Sequence, residues 1–108
     1  MEKNFAICAL FDQYKGLLTP KQQDAVNLYY NQDLSLGEIA ENLHITRQGV
    51  HDAIRRAEEI LTGAEAQLGF CKKISHYENV LEEVKNLVAR GEEKEVILAF
   101  LAAHNEDG

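Results

Sequence analysis

Apolar side chains recur every three or four residues along most of the chain, which is the spacing of one face of an α-helix. Near the N-terminus this pattern predicts a helix within 2–18 that ends around Gly16, with inward residues Phe5, Cys8, Ala9, Leu10, Phe11 and Tyr14. Thr19, Pro20 and Gln22 then form a capping-box pattern with proline at the first helical position. A second helix is therefore predicted to begin there, with the apolar face Ala25, Val26, Leu28, Tyr29 and Tyr30.

The next segment has the pattern of a helix-turn-helix. Ser35 and Glu38 form a second capping box, which opens a helix with the buried positions Leu36, Ile39, Ala40 and Leu43. His44 occupies the corner, where such motifs often use a residue of positive φ. Thr46 is predicted to cap the following helix, whose inward residues are Val50, Ala53, Ile54 and Ala57.

The remaining pattern predicts helices to the end of the chain. The helix after Thr46 is expected to run through Gly63 and to end at Gly69. A strongly amphipathic helix at 72–89 carries the stripe Tyr77, Val80, Leu81, Val84, Leu87 and Val88. A short helix at 92–103 and a frayed tail at 104–108 follow. We therefore predict an all-α protein with a three- or four-helix helix-turn-helix domain at 1–69 and amphipathic C-terminal helices at 70–108.

The composition agrees with a small helical protein. The 108 residues are enough for one compact domain with a helical appendage, and the chain has a single proline and no tryptophan. No stretch approaches the roughly 20 apolar residues that span a bilayer, so we expect a cytoplasmic protein without membrane insertion. Cys8 and Cys71 are isolated and are expected to be reduced, buried thiols.

The formal net charge of -7 argues against non-specific nucleic-acid binding by the whole chain. Within 46–57, however, three arginines stand against Asp52 alone, which lies beside the predicted contact face. Arginine and glutamine at the start of a recognition helix suit guanine and adenine edges, and further arginines suit phosphates. The predicted nucleic-acid contacts are Thr46, Arg47, Gln48, His51, Arg55 and Arg56, with duplex DNA as the first candidate target and RNA as the second.

Two alternatives remain open from the residues alone. The arginines can form a solvated helix face on a scaffold that docks to another protein without binding duplex DNA. The stripe from Tyr77 to Val88 can pack against the chain's own first helix or pair with a second copy. We favour a homodimer, because two copies offer two recognition helices to a two-fold site.

Catalysis is not expected. The chain contains no Walker loop, no His-Glu-x-x-His pair and no nucleophile elbow. His44, His51, His76 and His104 are scattered and lack the spacing of metal ligands. The expected set of catalytic residues, metals and cofactors is therefore empty.

The segments "LTPKQQDAVNLYY" and "LSLGEIAENLHITRQGVHDAIRRAEEIL" resemble region 4 of bacterial sigma factors. Over nearly its full length the chain is similar to the YlxM-like family of small bacterial helix-turn-helix proteins. That resemblance implies a regulatory role associated with the signal recognition particle pathway, with particle components as possible partners. Gln48, Gly49 and His51 stand where a sigma factor usually has glutamate and arginines, so sigma-type promoter recognition is not implied.

Overall fold

A computed structural model describes residues 1–104, and this part of the chain contains six α-helices and no β-strand. The helices are α1 (Ala6–Tyr14), α2 (Pro20–Val26), α3 (Leu36–Leu43), α4 (Arg47–Leu68), α5 (Phe70–Ala89) and α6 (Lys94–Ala103). A 3₁₀ turn follows α1 at Lys15–Leu17, and a π-helical turn follows α2 at Asn27–Asn31. The predicted all-α fold is confirmed. Of the tail predicted to fray at 104–108, residues 105–108 lie outside the described residues.

The chain forms two compact units, and the first comprises Met1–Gly69. Within it α4 is the central element, since α1, α2 and α3 all pack against it. Its apolar stripe is fully buried and consists of Val50, Ile54, Ala57 and Leu61. The facing helices bury Ile7, Leu10, Phe11, Ala25, Val26 and Ile39.

Local sequence signals set the starts of the helices in this unit. The Thr19 side chain accepts a hydrogen bond from the Gln22 backbone N–H, and the Gln22 side chain accepts one from the Thr19 N–H. Ser35 and Glu38 make the same reciprocal pair at the start of α3. Both predicted capping boxes are therefore confirmed.

The first helix departs from the prediction. It begins at Ala6, and Phe5 is 69% exposed, whereas Ile7 is buried. Cys8 is only half-buried, and so is Cys71 in the second unit; neither forms a disulfide in the described part of the chain. The three- and four-residue spacing fits two neighbouring faces of α1, and tertiary packing selected the face that contains Ile7.

The π-helical turn places two consecutive aromatic residues, Tyr29 and Tyr30, in the interior. Their rings meet edge to face with centroids 5.2 Å apart. The Tyr29 hydroxyl donates to the Met1 carbonyl at 3.2 Å, and Lys3 pairs with Asp33 and lies over the Tyr29 ring. These contacts hold the N-terminal residues against the end of α2.

The helix α4 runs through Gly63 and ends at Leu68, as predicted. Gly69 follows with φ 63°, in the left-handed conformation that glycine adopts without strain, and its N–H donates to the Glu65 carbonyl. Space around Gly63 is open, because an added Cβ would meet nothing within 4 Å.

The second unit begins at Phe70 and contains α5 and α6. α5 begins at Phe70, two residues before its predicted start. α6 begins at Lys94, two residues after its own predicted start. The amphipathic stripe is divided: Val80 and Leu87 are buried, Val84 is half-buried, and Tyr77, Leu81 and Val88 are exposed. Of the predicted dimerisation residues, Tyr77, Leu81, Val84 and Val88 are thus the accessible part of the stripe in this single chain. No described helix has the length and apolarity needed to cross a membrane.

Candidate nucleic-acid interface

A tight corner joins α3 to α4. His44 ends α3 with φ 57° and ψ 42°, the left-handed conformation expected at this position. The N–H groups of His44 and Ile45 both donate to the Ala40 carbonyl, which satisfies one of the last acceptors of α3. The Thr46 side chain then accepts a hydrogen bond from the Gly49 N–H at 2.9 Å and caps α4. This geometry is that of a helix-turn-helix.

Gly49 has a steric reason to be glycine. A Cβ at this position would lie 3.1 Å from the Thr46 Oγ1 and 3.8 Å from the Ile45 Cδ1. The first of these contacts is tighter than side chains normally make, so a larger residue would push on the cap of α4. Gly49 therefore lets the corner lie close to the start of α4.

The predicted contact residues lie at the N-cap and along the first half of α4. Thr46, Arg47, Gln48, Arg55 and Arg56 are exposed, whereas His51 is half-buried, with 35% of its side chain accessible. Gln48, Arg55 and Arg56 lie away from the buried Val50 and Ile54. Arg47 precedes Val50 by three residues and is exposed at the start of the helix, while His51 lies at the edge of the core face.

Two of the three arginines on this face have no acidic partner in the described part of the chain. Among the described residues, no carboxylate forms an ion pair with Arg47 or Arg55. Arg56 lies 3.5 Å from Glu59, one helical turn further along, and both side chains are mostly exposed. Such exposed pairs contribute little, so Arg56 can exchange Glu59 for a phosphate at small cost.

Asp52 is the residue that sequence reasoning misplaced. Gln48, Asp52 and Arg55 follow one another at intervals of four and three, so they line one strip of the helix surface. Asp52 thus lies in the middle of the contact face, with 68% of its side chain exposed, and not beside it. Its Oδ1 accepts a hydrogen bond from the Gln48 Nε2 at 2.9 Å. The spacing from the buried Val50 and Ile54 would have located it.

His51 closes one side of the face against the N-terminal residues. Its Nδ1 is buried and has no hydrogen-bond partner; the nearest carboxylate oxygen, Oδ1 of Asp52, is 3.5 Å away. A shallow pocket beside it is lined by Met1, Glu2, Asn4, Ile7, His51, Arg55, Glu58, Glu59 and Thr62. The N-terminal residues therefore form an edge of the candidate interface, which the helical pattern did not indicate.

Two tyrosine hydroxyls hold α4 from behind. Tyr30 donates to the Glu58 Oε2 at 2.6 Å and accepts the Asn4 N–H at 3.1 Å, while Tyr14 donates to the Glu65 Oε1 at 2.6 Å. Burial and the hydrogen bond to Glu58 raise the pKa of Tyr30 to about 12. Sequence reasoning treated both tyrosines as apolar positions, because partners on another helix leave no local signal.

Histidines elsewhere are less scattered than the sequence suggested. In the second unit the rings of His76 and His104 lie 5.9 Å apart, and Phe100 lies 4.4 Å from His104. Within the described residues, no three His, Cys, Asp or Glu side chains converge as a metal site would require. The pair of rings is thus part of the contact between α5 and α6.

The chain matches one protein-family model across residues 1–99, and the family is described as "Putative helix-turn-helix protein, YlxM / p13 like", UPF0122. The match includes the whole helix-turn-helix and nearly all of the described second unit.

Curated relatives carry the same family name. A UPF0122 protein of Desulforamulus reducens is 49% identical over 82% of this chain and 75% of its own length. One of Limosilactobacillus reuteri is 41% identical over 98% of this chain and 94% of its own. The UPF0122 protein YlxM of Bacillus subtilis is 40% identical over 95% of this chain and 94% of its own.

Proposed function

This chain belongs to the UPF0122 family of YlxM- and p13-like helix-turn-helix proteins, and from that premise we propose that it is a non-catalytic regulator that binds duplex DNA. The contacts are made by Thr46, Arg47, Gln48, His51, Arg55 and Arg56. The single observation that carries the proposal is the exposed start of α4, where Arg47 and Arg55 have no carboxylate partner among the described residues.

The position of these side chains suits groove recognition. In a helix-turn-helix the second helix enters the major groove with its N-terminal residues at the base edges. Arg47 and Gln48 occupy the first turn of α4, where they can reach guanine and adenine. Arg55 and Arg56 lie two turns further along and are suited to phosphates.

The net charge of the first unit determines how strongly it binds nucleic acid and how that binding depends on salt. Residues 1–69 contain six Lys and Arg residues against ten Asp and Glu residues, so the unit as a whole repels a polyanion. Affinity must then come from the few arginines of the contact face. We expect binding that is modest, short-ranged and steeply weakened by salt.

The regulated process that we propose is the signal recognition particle pathway, which the resemblance to YlxM-like proteins suggests. Particle RNA is therefore the second nucleic acid to test. The competing function is a docking module that contacts a particle protein through the same helix-turn-helix without binding nucleic acid. Hydrophobic docking of that kind would not show the strong salt dependence of phosphate contacts.

Fluorescence anisotropy tests the proposal with labelled duplex DNA and labelled signal recognition particle RNA at several salt concentrations. The double variant Arg47→Ala, Arg55→Ala is expected to weaken binding strongly and to reduce the slope of log K against log salt by about 1, because Arg55 is assigned to a phosphate and Arg47 to a base edge. The matched control, Arg90→Ala, Lys94→Ala, removes the same charge from exposed residues of the second unit and should leave the slope unchanged.

The outcomes separate the two functions. Salt-sensitive binding of DNA that only the first variant loses supports the proposal, and binding of RNA alone redirects it to the particle. If the folded wild-type protein binds neither nucleic acid, duplex recognition is wrong and the docking function replaces it.

We also propose that the second unit forms a homodimer through α5. Its exposed apolar residues Leu81 and Val88, with the half-buried Val84, line a shallow groove flanked by Glu78, Glu82 and Lys85. In an antiparallel two-fold pair with Leu81 opposite Val88, the Glu78 position of one helix comes nearly level with the Arg90 position of the other. That charge complementarity favours a second copy as the occupant.

Sedimentation at tens of micromolar tests the dimer. We expect the wild-type protein to sediment as a dimer and Leu81→Glu to sediment as a monomer. Leu17→Glu is the control, because Leu17 is similarly exposed, 58% against 63% for Leu81, but lies in the first unit. A wild-type monomer would show that α5 does not mediate self-association.

A further inference from the structure

Asp52 has no role in the proposed set of nucleic-acid contacts. It occupies the centre of the contact face, between Gln48 and Arg55, on the strip of α4 that points away from Val50 and Ile54. A carboxylate here faces whatever the recognition helix enters. The question is why the centre of a nucleic-acid interface should be acidic.

Stability of the fold explains it only slightly, through the hydrogen bond that Asp52 accepts from Gln48 four residues earlier on the helix. Asp52 is exposed and buries no apolar surface, and it lies beyond the first turn of α4, which contains no acidic residue that would favour the helix dipole. Arg55 and Arg56 are three and four residues away, yet Arg56 lies next to Glu59 instead. The contacts of Asp52 are with Gln48 and, at 3.5 Å, with His51.

A carboxylate in this position lowers affinity for every polyanion, because it approaches the phosphates of both strands when the helix enters a groove. It is also an acceptor without a donor hydrogen. In the major groove, cytosine N4 and adenine N6 are both amino donors, but adenine also presents the N7 acceptor, which repels a carboxylate, so acidic side chains pair best with cytosine. Asp52 therefore lowers the affinity for duplex DNA in general. The loss of affinity is smallest at a site whose base presents an amino group to the carboxylate.

The hydrogen bond to Gln48 fixes how the two side chains act together. The Gln48 amide donates one of its two hydrogens to the Asp52 Oδ1. Its second hydrogen and its carbonyl oxygen remain for the N7 and N6 of an adenine. The Asp52 Oδ2 remains for a neighbouring amino group, so the pair can accept from two adjacent bases.

We propose that Asp52 is a specificity-determining residue of α4, whose carboxylate accepts a hydrogen bond from a cytosine N4 in the major groove and weakens binding to all other duplex. This inference rests on the proposed function of duplex recognition. It adds a seventh residue to the contact set, and that residue is acidic. The expected preference for cytosine over other bases at the matching position is roughly 5- to 150-fold.

Selection from a duplex library with a randomised 20-base-pair core, followed by sequencing, tests the inference with three proteins: wild type, Asp52→Asn and Asp12→Asn. Asp52→Asn keeps an oxygen that can accept from Gln48 but removes the charge and introduces a donor. Asp12→Asn makes the same change of net charge at an exposed position of α1. Circular dichroism verifies that all three are folded.

The wild-type protein is expected to enrich sites with a cytosine at one fixed position. Asp52→Asn should lose that enrichment and bind the unselected library about threefold or more tightly at low salt, whereas Asp12→Asn should behave as wild type. If wild type and Asp52→Asn select the same sites, or if both variants gain affinity equally, Asp52 does not determine specificity while duplex binding stands. If the wild-type protein binds no duplex, the proposed function and this inference are both wrong.

Discussion

At the scale of single residues, the helix-turn-helix depends on positions whose backbone geometry is unusual. His44 has φ 57° and Asp33 has φ 57°, and they are the non-glycine residues of positive φ in the described chain. Each costs free energy that a glycine would not, since a Cβ is crowded in the left-handed region. At His44 this left-handed conformation turns the chain from α3 into α4. The corner of the candidate site therefore exists at the expense of some backbone strain.

His44→Gly is expected to raise the free energy of unfolding by about 0.5–1 kcal/mol, because glycine relieves the strain of the left-handed conformation. His44→Val should lower the free energy of unfolding by about 1 kcal/mol or more, because a β-branched residue fits that conformation worst. Urea denaturation followed by circular dichroism measures both changes. Equal stability of the two variants would mean that backbone strain at His44 is negligible.

The hydroxyl of Tyr30 predicts a loss of stability in alkali. Its pKa is about 12 in the folded protein and 10.0 in its ordinary state, so the folded protein retains the proton more strongly. The contribution to stability is complete below pH 10 and is lost as the pH rises to about 12. Denaturation at pH 9, 10 and 11 should show a decline that is smaller in Tyr30→Phe, and Tyr77→Phe, an exposed tyrosine in the second unit, is the control. An unchanged decline in Tyr30→Phe would contradict this assignment.

At the scale of elements, α4 joins the candidate interface to the core. It is 22 residues long, and its first half carries the contact face. Its second half is held by the buried Leu61 and by the hydrogen bond from Tyr14 to Glu65. Two glycines occupy different structural positions in or next to this helix. Gly63 lies within it in open space, and Gly69 ends it with a positive φ.

The two glycines should therefore respond in opposite ways to the same substitution. Gly63→Ala is expected to stabilise the protein by about 1 kcal/mol, because alanine favours the helix and nothing obstructs its Cβ. Gly69→Ala is expected to destabilise it by about 1 kcal/mol, because φ is 63° there. Thermal and urea denaturation measure both. Destabilisation by Gly63→Ala would indicate that α4 needs flexibility at that point.

The sequence predicted elements best where the signals are local. The capping boxes at Thr19 and Ser35, the corner at His44 and the end of α4 at Gly69 each depend on a few adjacent residues, and all four were predicted. The buried face of α1 and the division of the α5 stripe were not, because packing partners distant in sequence decide which of two adjacent faces is buried. The hydrogen bonds of Tyr14 and Tyr30 to glutamates of α4 are non-local for the same reason.

At the scale of the whole molecule, the two compact units differ in how much core each contains. The first unit buries residues from four helices, whereas Val80 and Leu87 are the buried side chains among the described residues of the second. Two helices with so small a core are marginal as an independent fold. Pairing of α5 with a second copy would supply the missing apolar contacts.

A fragment of residues 1–69 is accordingly expected to fold cooperatively by itself, with a helical circular dichroism spectrum and a single thermal transition. A peptide of residues 70–108 should be largely unfolded at low micromolar concentration and should gain helix as its concentration rises, because self-association supplies its core. Concentration-dependent circular dichroism measures the effect. Full helicity of the peptide at every concentration would contradict the dimer and show that α5 and α6 suffice alone.

The two faces of α4 have a consequence for how this protein can change. Val50, Ile54 and Ala57 are buried in the core, while Arg47, Gln48, Asp52 and Arg55 are exposed. Substitutions on the outer strip can therefore accumulate in a lineage without a penalty in folding. The strip behaves as an exchangeable cassette: transplanting these four side chains from one relative to another should transfer target preference and leave the melting temperature of the recipient unchanged.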